Sequence, residues 1–150
     1  MKNLLNLQKT KNKKTMATAV KTNPIEEAKR YVANAKKLLQ ENGKYDRSVD
    51  SYQDSKYVKM AGNTLWSGCL VALNAVFPDI VKGKGRPSIE KYKEAAVKRD
   101  RKLLSYVSNA YSVTHLYMGY DGIGSKSISD NGFKLSNLLI DRCAILYRKK

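Results

Sequence analysis

The stretch YSVTHLYMGYDG, residues 111–122, holds the chain's one histidine, His115, among Tyr111, Tyr117 and Tyr120 and just ahead of Asp121 and Gly122. An imidazole exchanges a proton near neutral pH, but acyl or phosphoryl chemistry also needs a group for it to activate or a cation to steady the developing charge. The groups nearby in sequence that could take that part are Asn109, Tyr111 and Asp121. Further off, Tyr106, Trp66 and Asn74 complete an aromatic and amide set. Buried phenols need hydrogen-bond partners, so this set reads either as a polar seam between helices or as a small pocket for a nucleotide base. Trp66, Asn74, Tyr111, His115 and Tyr117 are its candidate lining.

A second set is cationic. KGKGRPS, residues 82–88, combines two glycines and three cations with the start of a helix, the ingredients that hold an anion. It lacks the Gly-Lys-Ser/Thr ending of a Walker loop. Lys82, Lys84 and Arg86, with Arg99, Arg101 and Lys102, form the expected anion or nucleic-acid contact. Such contacts position a strand without reading its sequence, and they weaken steeply with salt. The whole chain fits that reading, with 29 Lys and Arg against 13 Asp and Glu and a formal net charge of +16. Nucleic acid or an acidic protein is the expected partner.

Other chemistries find little support. One histidine, with Cys69 and Cys143 far apart, does not make zinc-ligand spacing, so neither a metal nor a cofactor is expected. Both cysteines lie in apolar helical segments, where thiols act as small hydrophobes, and a reduced cytoplasmic setting suits them. No apolar run approaches the roughly 18 residues of a membrane span, and the amino-terminal segment has no clear secretory pattern.

The elements that position these residues can be read from caps and periodicity. Residues 1–22 carry six lysines and no acid, a basic flexible tail in which Met16 offers a second start. The folded domain, 23–150, opens at Asn23-Pro24-Ile25-Glu26, where Asn caps, Pro suits the first helical position and Glu closes a capping box. Ile25, Ala28, Val32, Ala35 and Leu39 predict a helix over 24–42, ended by Gly43. Val58, Ala61, Leu65, Cys69, Ala72 and Val76 predict a central helix over 54–77, apolar on a second face through Trp66, Leu70 and Leu73. Ser88 begins a short polar helix, and Asp100 caps or interrupts before Leu103, Val107, Ala110, Thr114 and Tyr117. A last helix over 127–147 turns Leu135, Leu138, Leu139, Cys143 and Leu146 inward. No segment alternates well enough to predict a strand. The expected fold is all-α, an antiparallel bundle of four to five helices.

The helix, polar connection and long Ala-rich helix of AKRYVANAKKLLQENGKYDRSVDSYQDSKYVKMAGNTLWSGCLVALNAVF, followed by a helix bearing His115, resemble the HEPN-like bundles of prokaryotes over residues 24–147, and are nearest to their small single-domain members. The resemblance implies a HEPN-like fold and a homodimer. Ribonuclease members carry Arg, four to six residues, then His. Here Ser108, Asn109 and Ala110 occupy the arginine's place, and the nearest preceding arginine is Arg101. The resemblance therefore implies a noncatalytic binding or interaction module. The alternatives are a divergent ribonuclease, with His115 as acid-base group and Asn109, Tyr111 or Asp121 replacing the arginine, and a structural partner in a toxin-antitoxin or nucleotidyltransferase system.

Overall fold

The computed structural model describes residues 23–149; the basic tail expected over 1–22 and the start at Met16 lie outside the described residues. Helix α1 spans Pro24–Asn42, a short antiparallel hairpin pairs β1 (Tyr45–Asp46) with β2 (Ser51–Tyr52), and helix α2 spans Ser55–Val76. A 3-10 turn (Pro78–Lys82) and a loop lead to α3 (Ile89–Arg99). Helix α4 (Arg101–Ala110) runs directly into a π-helical segment (Tyr111–Tyr120), and α5 (Lys126–Arg148) closes the bundle. The protein is an all-α five-helix bundle with α2 at its centre, packed against α1, α5 and the π segment.

Each start has a local cause. The Asn23 side chain accepts from the Ile25 N–H at 2.8 Å, and Pro24 follows at the first helical position. Asp54 accepts from Lys56 N–H to open α2, and Asp100 accepts from Leu103 N–H at 2.9 Å to open α4. These side chains satisfy N–H groups that the first helical turn leaves unpaired.

Expectations are corrected in three places, the connection after α1, Tyr117 on the fourth helix, and Leu135 with Leu138 on α5, while α1 ends at Gly43 as expected. The polar connection after α1 contains a hairpin: Asp46 accepts from the Ser48 N–H and hydroxyl, while the Tyr45 and Tyr52 rings pack across the strands at 5.4 Å, tilted by 55°. It is anchored by the Tyr52 N–H donating to the Gly124 carbonyl at 2.7 Å and the Lys126 N–H donating to the Asp50 carbonyl at 3.0 Å. Gly43 ends α1 in right-handed geometry, and the left-handed turn falls one residue later at Lys44, with φ 53°. Gly43 is needed for space, since a Cβ there would stand 2.7 Å from both the Leu39 carbonyl and the Tyr52 ring.

On the fourth helix, Tyr117 is 44% exposed rather than inward. Bonding from i to i+5 widens the turn, so Val113, Thr114, Met118 and Gly119 share the buried face and Tyr117 swings out. On α5 the innermost stripe runs through Ser129, Gly132, Ser136, Leu139, Ile140, Cys143 and Leu146. Leu135 and Leu138 are only half-buried.

The wide turn sits where two backbones almost touch. A Cβ on Gly62 of α2 would lie 2.5 Å from both the Met118 Cβ and the Thr114 carbonyl, and one on Gly119 would lie 2.5 Å from the Asn63 side chain. Asn63 Nδ2 donates to the Gly119 carbonyl at 3.3 Å, and the Thr114 hydroxyl donates to the Ala110 carbonyl at 2.7 Å. Side chains therefore serve carbonyls in the segment that the altered winding disturbs.

Candidate functional site

Trp66 projects from α2 onto the π segment and meets two of its rings. Its ring centroid is 5.3 Å from that of Tyr111, edge to face, and 6.4 Å from that of His115. Tyr111 and His115 are themselves 5.1 Å apart. Trp66 is buried, whereas the other two are partly open. The three rings form one wall of a cavity of about 160 Å³.

The opposite wall comes from the loop between the 3-10 turn and α3. Gly85 adopts φ +82°, a left-handed conformation that costs glycine nothing, and the chain then turns Arg86 and Pro87 into the cavity lining. Ile89 and Tyr92, one helical turn apart on α3, complete it with Leu70 of α2. The Tyr92 hydroxyl donates to Asn74 Oδ1 at 2.7 Å, which fixes α3 against α2.

The electrostatics centre on His115. Burial, and secondarily the positive charge of Arg86, hold its pKa below the ordinary imidazole value of 6.5. Its Nδ1 is buried and has no hydrogen-bond partner among the described residues. The cavity thus presents a neutral imidazole, a guanidinium and two further aromatic faces. That combination can stack a flat ring, pair with an anion and accept a proton.

Four of the five residues expected to form the pocket are here. Trp66, Tyr111 and His115 line it, and Asn74 supports it through Tyr92, while Tyr117 faces outward. Of the groups considered as replacements for the missing arginine, Tyr111 reaches the cavity. Asn109 is exposed and donates to the Ser105 hydroxyl, and Asp121 lies beyond the end of the π segment.

The cationic set divides. Arg86 joins the histidine cavity, and Lys82 pairs with Asp79 at 2.8 Å on the surface. Lys84, Arg101 and Lys102 are exposed, and Arg99 donates to the Leu146 carbonyl near the end of α5. Tyr92 and Ile89 were missed as lining residues; their three-residue spacing just after Arg86-Pro87 is the signal that places them on the same face.

Among the described residues no group of three or more His, Cys, Asp or Glu could hold a metal ion. No helix among them is long and apolar enough to cross a membrane.

A solved structure of a protein of unknown function from Dyadobacter fermentans is similar to this chain at 36% identity and TM-score 0.72, covering 84% of this chain and 94% of its own. No curated protein matches. The family described as a domain of unknown function, DUF5618, matches residues 23–144, and over that span, which takes in the cavity and its supporting helices, the chain belongs to the DUF5618 family.

Proposed function

We propose that this chain is a noncatalytic, HEPN-like binding module, cytoplasmic and homodimeric, whose Arg86–His115 cavity takes the end of a single-stranded nucleic acid. The observation that carries this reading is the meeting of Arg86 with Trp66, Tyr111 and His115 around one cavity. A guanidinium pairs with a phosphate while the aromatic faces stack a base, the division of labour by which proteins hold single strands. At about 160 Å³ the cavity is smaller than the roughly 300–1,000 Å³ of drug-sized sites, so it suits one ring at a strand end. The net charge of +16 draws the remaining phosphates, with Lys84, Arg101 and Lys102 exposed to meet them.

Trp66 is the chain's single tryptophan, so emission excited selectively at tryptophan, at about 295 nm, reports on this cavity. Titration with a tetranucleotide of single-stranded RNA should change that emission saturably at low salt. Arg86→Ala should abolish the change, and Lys102→Ala should only weaken it. An emission unmoved by RNA removes the reading.

One observation favours a second reading, a divergent ribonuclease. Arg86 approaches His115 from the loop side and supplies a cation that the preceding helical turn lacks. A neutral His115 would take the proton of a ribose hydroxyl while Arg86 steadied the phosphate. RNA cleaved by the unaltered chain and left intact by both His115→Ala and Arg86→Ala would establish this reading over the first.

A further inference from the structure

A second concave surface, sharing no lining residue with the first, is a groove of about 640 Å³ between α1 and α5, with Tyr52 of the hairpin in its lining. Its floor is apolar: Val32 and Leu39 from α1, Phe133 from α5 and Tyr52 from β2. Its α1 rim reads Lys29, Ala33, Lys36, Gln40, spaced four, three and four residues apart and so aligned along one helical edge. Ala33 is an exposed small residue between two lysines, a notch that lets another backbone come close.

Charge decides what fits. On the α5 rim Lys126 is paired with Asp130 at 2.6 Å, and its charge is answered there. Among the described residues Lys29 and Lys36 have no acidic partner within ion-pair distance, which leaves two positive charges beside an apolar floor. They are seven residues apart, two helical turns or about 10 Å, too far for one carboxylate to serve both. An amphipathic helix carrying acids two turns apart serves both and lays its apolar face on Val32, Leu39 and Phe133.

The other occupants fit poorly. The chain's own amino-terminal segment, residues 1–22, has six lysines and no acid, and a second copy paired two-fold through this groove sets its own Lys29 and Lys36 against the same rim; like charges oppose both.

We infer that the α1–α5 groove is a docking site for an acidic amphipathic helix of a partner protein. It is separate from the Arg86–His115 cavity and stands or falls independently of it.

The test uses the full chain and a fluorescein-labelled helical peptide of about 14 residues, roughly four turns, with leucines along one face and glutamates along the other. Saturable anisotropy is expected, weakened about tenfold or more by the double charge reversal Lys29→Glu/Lys36→Glu. Ala33→Trp, which fills the notch without altering charge, should weaken it similarly. The reversal Lys84→Glu/Lys102→Glu leaves the groove untouched and should change affinity far less. Circular dichroism of each variant confirms that the exposed substitutions leave the fold in place. The inference is overturned if the peptide does not bind, if a lysine-for-glutamate version binds equally, if both pairs of reversals weaken binding alike, or if Ala33→Trp has no effect. A dimer lost on Ala33→Trp would identify a second copy as the occupant and overturn it too.

Discussion

The Arg142 guanidinium grips the Asp100 carboxylate through two hydrogen bonds, from Nε to Oδ1 at 3.1 Å and from Nη2 to Oδ2, joining α5 to the junction where α3 ends and α4 begins. Asp100 is also the cap of α4, so one carboxylate shapes the kink and ties it to the last helix. Asp100→Ala loses both roles, and the cap alone is worth about 1 kcal/mol. A fall of about 2–4 °C in melting temperature per kcal/mol is expected for a chain of this size. Asp100→Asn retains a capping oxygen and should fall less. In a double-mutant cycle with Arg142→Ala, the coupling should vanish once either partner is gone.

The same pair has a signature in acid. Arg142, foremost, holds the Asp100 pKa below its ordinary value, with the Leu103 N–H helping. A carboxylate shifted down contributes stability at neutral pH, and loses it as pH falls through its folded-state pKa. Urea midpoints measured from pH 7 down to pH 3 should therefore drop for the unaltered chain near the bottom of that range. For Asp100→Asn they should drop less steeply.

The crossing at Gly62 and Gly119 sets two opposing effects against each other. Alanine is the better helix former by about 1 kcal/mol, which favours Gly62→Ala. The new methyl, however, would stand 2.5–2.6 Å from the Met118 Cβ, the Thr114 carbonyl and the Gly119 nitrogen, mostly backbone that cannot swing away. Overpacking of that kind costs about 1–3 kcal/mol, so the clash wins and thermal melts should show a net loss. Gly83→Ala is the control. Nothing lies within 4 Å of its Cβ position and φ is −75°, so a gain of about 0.4–1 kcal/mol from a less flexible unfolded chain is expected.

What the sequence could disclose follows from how local each cause is. The bounds of α1 were readable because Asn23, Pro24 and the apolar series act within a few residues of one another. The hairpin was not, since two-residue strands are too short to alternate, and they are held by Gly124 and Asp50 contacts to the start of α5. The position of Tyr117 was missed because a π turn changes the period on which the inference rests. On α5 the hydrophobic residues drew attention away from Gly132 and Ser136, which are innermost because helices approach closely over small side chains. The site was legible in parts: Trp66, Tyr111 and His115 as a set, Arg86 as an anion contact. Their meeting was not, because it depends on how the loop after α2 folds back before α3.

The two cysteines should be silent reporters of the core. Both are fully enclosed, and burial pushes the Cys69 thiol up to about 12 and the Cys143 thiol higher still. The thiolate is the reactive form, so neither should react with Ellman's reagent in the folded protein at pH 8. Both should react at the rate of global unfolding, and urea should accelerate them together. Rapid labelling of either one without denaturant would show that α2 and α5 part locally.

His115 offers the sharpest contrast between a residue kept for packing and one kept for binding. A histidine that serves the fold has its ring nitrogens bonded, whereas here Nδ1 is buried and unpartnered, an arrangement that typically costs about 1–3 kcal/mol. His115→Phe removes that orphan and retains a flat ring against Tyr111 and Trp66, so the melting temperature at pH 7.5 should hold or rise. The acid side separates the two chains further. Because the folded-state pKa of His115 lies below 6.5, unfolded chains take up the proton first as pH drops, and stability declines below that pH until the folded imidazole also protonates. The phenylalanine variant should lack this decline. It should also lose the RNA-dependent change in Trp66 emission. A variant that melts lower and still responds to RNA would instead place His115 among the residues that hold the helices together.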